Sequence, residues 1–269
     1  MTSTSDTTRI DPRPRPVKLS LDQLAVAGIL VTDPADPRLA LSQAQEHLHS
    51  LEAEGVLTVG QVPKFIGDIF RVMTRPEVTF SVGVVGTDTG SAHYIWATSE
   101  FGVVATGIGE ETAEFEPVSP KFIPLAIARI VDLGPRPLSA PNGSVSLAVS
   151  RLASLGEMVA NNDLSGAERV LREPPSIDEE WIAPLVRMLH LRRISWRATS
   201  SWTDYTGTTH TSLMVVMDSG DGGLWFVEAP ESTEEVTPDS IVTFTPADSQ
   251  AVWQRIIGLL PSSSKLPPT

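Results

Sequence analysis

His210 is the residue in this chain best placed for acid–base chemistry, because Asp204, Tyr205 and Ser212 stand close to it in sequence. A serine whose proton is taken by a histidine, itself oriented by a carboxylate, is the working group of acyl transfer. The spacing puts all four residues around one hairpin. Hydroxyl-rich hairpins are common as plain surface turns, so hydrolysis there is the weaker reading. His47 and His49 sit two apart on a predicted helix and point away from each other, which defeats joint metal binding. Asp218-Ser-Gly-Asp-Gly-Gly223 places two carboxylates close together, as a calcium loop would. It is shorter than the twelve-residue loop and lacks its terminal Glu, so it is expected to be a tight turn. Gly107-Ile-Gly109 is a fragment of a dinucleotide loop without its third glycine, and acidic residues follow where a helix should start. The chain has no G-x-x-x-x-G-K-[ST], no H-E-x-x-H and no G-x-S-x-G. With no cysteine, disulfides, thiolate metal sites and Cys nucleophiles are excluded. The expectation is a protein that is not an enzyme, with no catalytic residue, no metal and no cofactor.

The elements that would position these side chains follow from the hydrophobic period. Ser20 is a cap for a helix over 21–30, a second helix runs near 39–54 to Gly55, and a third near 62–73 stops before Pro76. The period then changes from 3.6 to 2: Val78, Phe80, Val82 and Val84 alternate with Thr79, Ser81 and Gly83. Turn residues at 86–90 return the chain into a strand at 93–98, and a third strand is expected at 102–106. Residues 107–118, with Glu110, Glu111, Glu114 and Glu116, read as an acidic loop. A helix then starts at Ser119-Pro120 or nearer Ile123. The plan repeats: helices near 145–160, 165–172 and 178–190, strands near 193–202, 213–217, 224–227 and 241–244, a second acidic loop over 228–239, and a last helix carrying Val252, Trp253, Ile256, Ile257 and Leu260. Trp196, Trp225 and Trp253 are expected in the core.

Two echoes tie the halves together. Arg129-Ile-Val-Asp-Leu-Gly-Pro135 returns as Arg255-Ile-Ile-Gly-Leu-Leu-Pro261, shifted by 126 positions, and at that shift Ser119-Pro120 falls on Thr245-Pro246. Leu41-Ser-Gln-Ala44 and Leu48 reappear as Leu164-Ser-Gly-Ala167 and Leu171, shifted by 123. Two degenerate copies of one α+β unit, about 18–135 and 144–261, are therefore expected to form a single pseudo-twofold domain over 18–261. Residues 1–17, with Pro12, Pro14 and Pro16 among polar residues, and 262–269 are expected to be disordered tails.

Bulk composition narrows the partners. A net charge of −13 argues against nucleic acid and against an anionic membrane surface, since both need clustered Lys and Arg. No apolar run reaches the length of a membrane span and no signal peptide is visible, so the expected location is cytoplasmic.

Several local matches carry a family likeness: Glu54-Gly55-Val56-Leu57 followed by a helix and Arg75-Pro76, then Ile194-Ser-Trp196-Arg-Ala-Thr-Ser-Ser-Trp202 with Gly223-Leu-Trp225-Phe-Val, and finally Val252-Trp253 with Leu259-Leu260-Pro261. In these, and in the order of its elements from Leu19 to Pro261, the chain resembles the EspG family of type VII secretion chaperones. The resemblance implies a central antiparallel β-sheet flanked by two α-helical bundles. It also implies a cytosolic adaptor that binds the helical tip of PPE in a PE–PPE heterodimer, docks it against the sheet and the C-terminal bundle, keeps it soluble and presents it for export. No contact residue transfers by motif. From alternation alone, the polar phase of strand 193–202 is the candidate surface: Arg197, Thr199 and Ser201, with Trp202 at its end, Tyr205 on the hairpin, and Glu231, Glu234 and Glu235 as an acidic rim. A hydrolase around His210 and a small-molecule or regulatory module between the copies are the alternatives.

Overall fold

Ser20 ends one element and starts the next. In the computed structural model, which describes residues 16–58, 62–86, 89–108, 111–229 and 236–261, Val17–Ser20 forms strand β1 and Leu21–Thr32 forms helix α1. Ser20 Oγ accepts from the Gln23 amide (3.1 Å) while the Ser20 amide donates to Gln23 Oε1 (2.8 Å), a reciprocal cap that satisfies two otherwise orphaned donors. The first half continues with α2 (Ser42–Ala53), α3 (Lys64–Thr74), β2 (Val78–Val85), β3 (Gly90–Ala97), β4 (Gly102–Thr106), β5 (Thr112–Val118) and α4 (Ile123–Ile130). The second half runs β6 (Val145–Ala148), α5 (Val149–Ala160), α6 (Leu164–Arg172), α7 (Glu179–His190), β7 (Ile194–Thr203), β8 (Thr209–Asp218), β9 (Leu224–Glu228), β10 (Ile241–Ala247) and α8 (Ser249–Gly258).

Among the described residues ten strands join one antiparallel sheet in the order β1-β5-β4-β3-β2-β7-β8-β9-β10-β6. Matching β6 to β1, β7 to β2 and so on, the order reads the same from either end, so the sheet has a pseudo-twofold axis between β2 and β7. The α+β class, the repeat and the central sheet with flanking helices are as the sequence led one to expect.

Parity decides what each face meets. Even residues of β2 and β7 (Phe80, Val82, Trp196, Ala198) and Ile95 of β3 pack with Ile123 and Ile127 of α4 and with Val252 and Ile256 of α8. The other face carries two bundles. Val103, Ala105 and Phe115 lie under α1–α3 with Ile66, Ile69 and Phe70. Met217, Trp225 and Phe244 lie under α5–α7 with Leu155, Leu171 and Trp181.

Several expectations are corrected. The acidic loop of 107–118 contains β5: Ala113 and Phe115 are buried while Glu114 and Glu116 alternate with them, an apolar face hidden by the acidic one. Burying Phe115 contributes about 1.5–3 kcal/mol. Val17, placed in the tail, begins β1 and pairs with Phe115; residues 1–15 and 262–269 lie outside the described residues. Val145–Ala148 is a strand rather than the start of a helix, because Val145 and Leu147 turn into the second bundle's core beside β10. The echo of Arg129 in Arg255 joins equivalent helices, but Thr245-Pro246 lies in β10, whereas Ser119-Pro120 opens a 3-10 turn. Helix α8 is capped instead by Asp248, whose Oδ1 accepts from the Ala251 amide at 2.6 Å. Trp253, expected in the core, is only half-buried, although Trp196 and Trp225 are fully enclosed.

Candidate docking surface

Between the two bundles the middle of the sheet is left open. Strand β7 runs along β2 with Thr79 opposite Ser201, Ser81 opposite Thr199 and Gly83 opposite Arg197. On the far side of β2 these positions meet Trp96 and Tyr94 of β3, and on the far side of β7 they meet Thr211, Leu213 and Val215 of β8. Cross-strand partners share a face, and Trp96 packs against the α1–α3 core, so this row belongs to the bundle side. Arg197 is exposed, Thr199 and Ser201 are half-buried, and Leu213 is 50% exposed. Tyr94 stacks on Trp96 with ring centroids 5.8 Å apart and planes at 13°. The floor is thus hydroxyl-bearing and small, with a guanidinium near its centre and an apolar margin on each side. Exposed as it is, Arg197 enters no ion pair among the described residues.

Trp202 does not belong to this surface. It has the parity of Trp196 and Ala198, faces the α4–α8 side and is 8% exposed. That corrects its placing among surface contacts: a one-residue step along a strand changes the face. Its neighbour on that side is His210, whose ring stacks on the indole at 5.5 Å and 19°. Ser200, the polar exception in the apolar phase, is fully buried and donates to the Leu259 carbonyl at 2.7 Å, closing the C-terminal end of α8 onto the sheet.

The hairpin between β7 and β8 is held by Asp204. Its Oδ1 accepts from the Thr206 and Thr208 amides (2.8 and 3.0 Å) and from Thr206 Oγ1 (2.5 Å), and its Oδ2 meets His210 Nε2 at 2.8 Å. The histidine and then Thr206 hold the Asp204 carboxyl well below the usual carboxylate range. Tyr205 stands at the tip, 70% exposed. The carboxylate–histidine half of an acyl-transfer set is therefore present, but no hydroxyl among the described residues bonds to His210. A second serine–histidine contact, which the sequence reading passed over, joins Ser91 Oγ to His93 Nε2 at 2.8 Å; His93 Nδ1 is buried without a partner, so no carboxylate orients that ring. Burial lowers the His93 pKa. Glu231, Glu234 and Glu235 lie outside the described residues.

At the other end of β7, Asp218 gathers the charges that sequence reading left unassigned. Arg136 meets it with Nε–Oδ1 at 3.0 Å and Nη2–Oδ2 at 2.9 Å, Arg193 with Nη2–Oδ2 at 2.7 Å, and the Gly220 amide with Oδ1 at 2.8 Å. Arg193 also reaches Asp132, just beyond α4, at 2.8 Å. The turn that resembled part of a calcium loop thus spends one carboxylate on two arginines. No spacing in the sequence announces this, because Arg136 and Asp218 are 82 positions apart.

Comparison with known proteins agrees with this architecture. A family model described as the EspG family matches residues 20–258. The solved structure of the Mycobacterium tuberculosis type VII secretion system chaperone EspG5, in complex with a PE25–PPE41 dimer, superposes with a TM-score of 0.62, covering 94% of this chain and 100% of that chain at 12% identity. At that identity the likeness speaks for the fold. No curated protein matches the chain.

Proposed function

The chain belongs to the EspG family, and from that premise we propose that it is a cytoplasmic chaperone of a type VII secretion system that binds a PE–PPE heterodimer, keeps it soluble and presents it for export. It acts as an adaptor without catalytic activity. The observation that carries the reading is the open stretch of β2 and β7 between the bundles: a hydroxyl-lined floor with Arg197 free of carboxylate partners among the described residues. The tip of a helical hairpin ends in carbonyls without intrahelical partners and in apolar side chains that pack on nothing. Arg197, Thr199 and Ser201 supply donors for the former, and Leu213 and the Tyr94–Trp96 stack supply surface for the latter. Tyr205, on the hairpin tip, is a rigid amphipathic contact of the kind that recurs in binding surfaces. The acidic balance of the chain keeps the unloaded adaptor soluble.

The test is co-expression with a PE–PPE pair, followed by pull-down. Arg197→Glu is expected to fold normally by circular dichroism, since the position is exposed, and to weaken capture by about 2 kcal/mol or more, on the order of thirtyfold. Unchanged capture moves the site off this strand. Failure of the unaltered chain to capture the pair refutes the assignment for that pair.

A further inference from the structure

On the opposite face of the sheet, between α4 and the β4–β5 edge, lies a cleft of about 1020 Å³. Val104 and Val118 form its floor, Phe101, Phe122 and Leu125 its walls, and Phe122 and Leu125 are 52% and 58% exposed. The internal symmetry shows what the equivalent place holds in the second half. Val104 and Phe226 are each third in their strand, β4 and β9, and Arg129 and Arg255 are each seventh in their helix, α4 and α8. Arg255 lies over the Phe226 ring, 5.9 Å from its centroid, so that half fills the space with its own aromatic group. In the first half Val104 is too small to do so, and Arg129 turns to Glu116.

We propose that residues 9–15, the arginine–proline segment that leads into Pro16, occupy this cleft in cis. Three observations point to that occupant. The first is direction: β1 is antiparallel to β5 with Val17 opposite Phe115, and Pro16 already forms part of the cleft wall. Beyond that pairing, Pro117, Ser119 and Phe122 line the same cleft as Pro16. The second is backbone chemistry. Pro12, Pro14 and Pro16 have no amide hydrogen to extend the ladder with β5, and alternate prolines favour a polyproline II segment, which docks on aromatic-walled grooves at low entropic cost. The third is charge. The segment carries Arg9, Arg13 and Arg15 against Asp11, and the cleft rim carries Glu100, Glu116 and Asp132 against Arg129, so the two are opposite in net charge. Glu116 and Asp132 each already meet one arginine, and a carboxylate has room for a second. Because the segment is tethered at Pro16, its effective concentration is of millimolar order, and weak contacts suffice.

The chain has no cysteine, so two labels are placed without background. Asp11→Cys and Gln254→Cys, the latter exposed on α8, are labelled with nitroxides in the full chain, and their separation is read by double electron–electron resonance. A narrow distance distribution is expected at low salt, broadening by roughly twofold or more in about 1 M NaCl and in Glu100→Lys or Leu125→Asp, both substitutions at exposed positions. A distribution that is broad in the unaltered chain overturns the proposal. So does one that stays narrow in both variants, which places the segment elsewhere. Dilution with unlabelled chain provides the remaining check: a narrow distance that disappears on dilution belongs to a neighbouring copy and overturns docking in cis.

Discussion

Asp218 keeps 2% of its side chain exposed while accepting from two arginines and one backbone amide. Burial raises its pKa, but the hydrogen bonds from Arg136, the Gly220 amide and Arg193 outweigh burial, and the net shift is downward. Asp218→Asn removes one charge and leaves Arg136, 16% exposed, without its counterion. The expected loss is about 3 kcal/mol, at the low end for a buried pair because Arg193 remains 42% exposed and can be rehydrated. The sign with pH follows from the lowered carboxyl. Its contribution is fully present above the unfolded-state value of about 4 and disappears as pH falls through the lower folded-state value. Urea unfolding of the two chains should therefore differ most at neutral pH and converge in acid. A gap that widens in acid would contradict the assignment.

At the scale of elements, the turn after β8 is fixed by its neighbours as much as by its own residues. Gly223 has φ +86, and a Cβ there would stand 2.8 Å from the Pro137 carbonyl oxygen and 3.0 Å from Ser139 Oγ. Ser139 Oγ in turn donates to the Gly222 carbonyl at 2.6 Å, and Trp225 Nε1 donates to the same oxygen at 2.9 Å. The segment joining the two halves thus lies against this turn. Gly55, which follows α2, has a similar φ of +72 but nothing within 4 Å of its Cβ direction. Gly55→Ala should cost only the left-handed strain, about 1 kcal/mol. Gly223→Ala adds a backbone clash and should cost at least about twice that. Denaturant midpoints of both variants measure the difference, and equal losses would mean that the joining segment yields freely.

For the molecule as a whole, the two halves meet in the β2–β7 pairing and in the core beneath α4 and α8, which draws residues from both. Neither half has a private core on that face, so they are expected to unfold together. Tryptophan offers a probe of this: of six, only Trp96 lies in the first half. Fluorescence therefore reports mainly the second half, while far-ultraviolet circular dichroism reports both. Coincident denaturation curves are the expected outcome. A fluorescence transition displaced from the dichroism transition would show that the halves are separately stable.

Hydrophobic pattern, caps and turn residues located the helices and the β2–β4 and β7–β9 strands, and the two residue echoes located the duplication. These are properties of neighbouring residues or of segments that recur along the chain. The alternation of Arg197, Thr199 and Ser201 likewise marked one side of β7 as polar. Whether that side is open was decided by tertiary structure: the bundles of α1–α3 and α5–α7 stop short of the middle strands, and no local pattern records where a distant helix ends. The same reason hid β1 and β6, four residues each, too short to show a period and held only by their partners β5 and β10. It hid β5, whose acidic face reads as a loop until its apolar face finds the α1–α3 core. It also hid Ser200 and Asp218. A hydroxyl or carboxylate in an apolar setting looks like an exception in sequence, and becomes explicable only when the Leu259 carbonyl or the Arg136 guanidinium, distant along the chain, arrives to satisfy it.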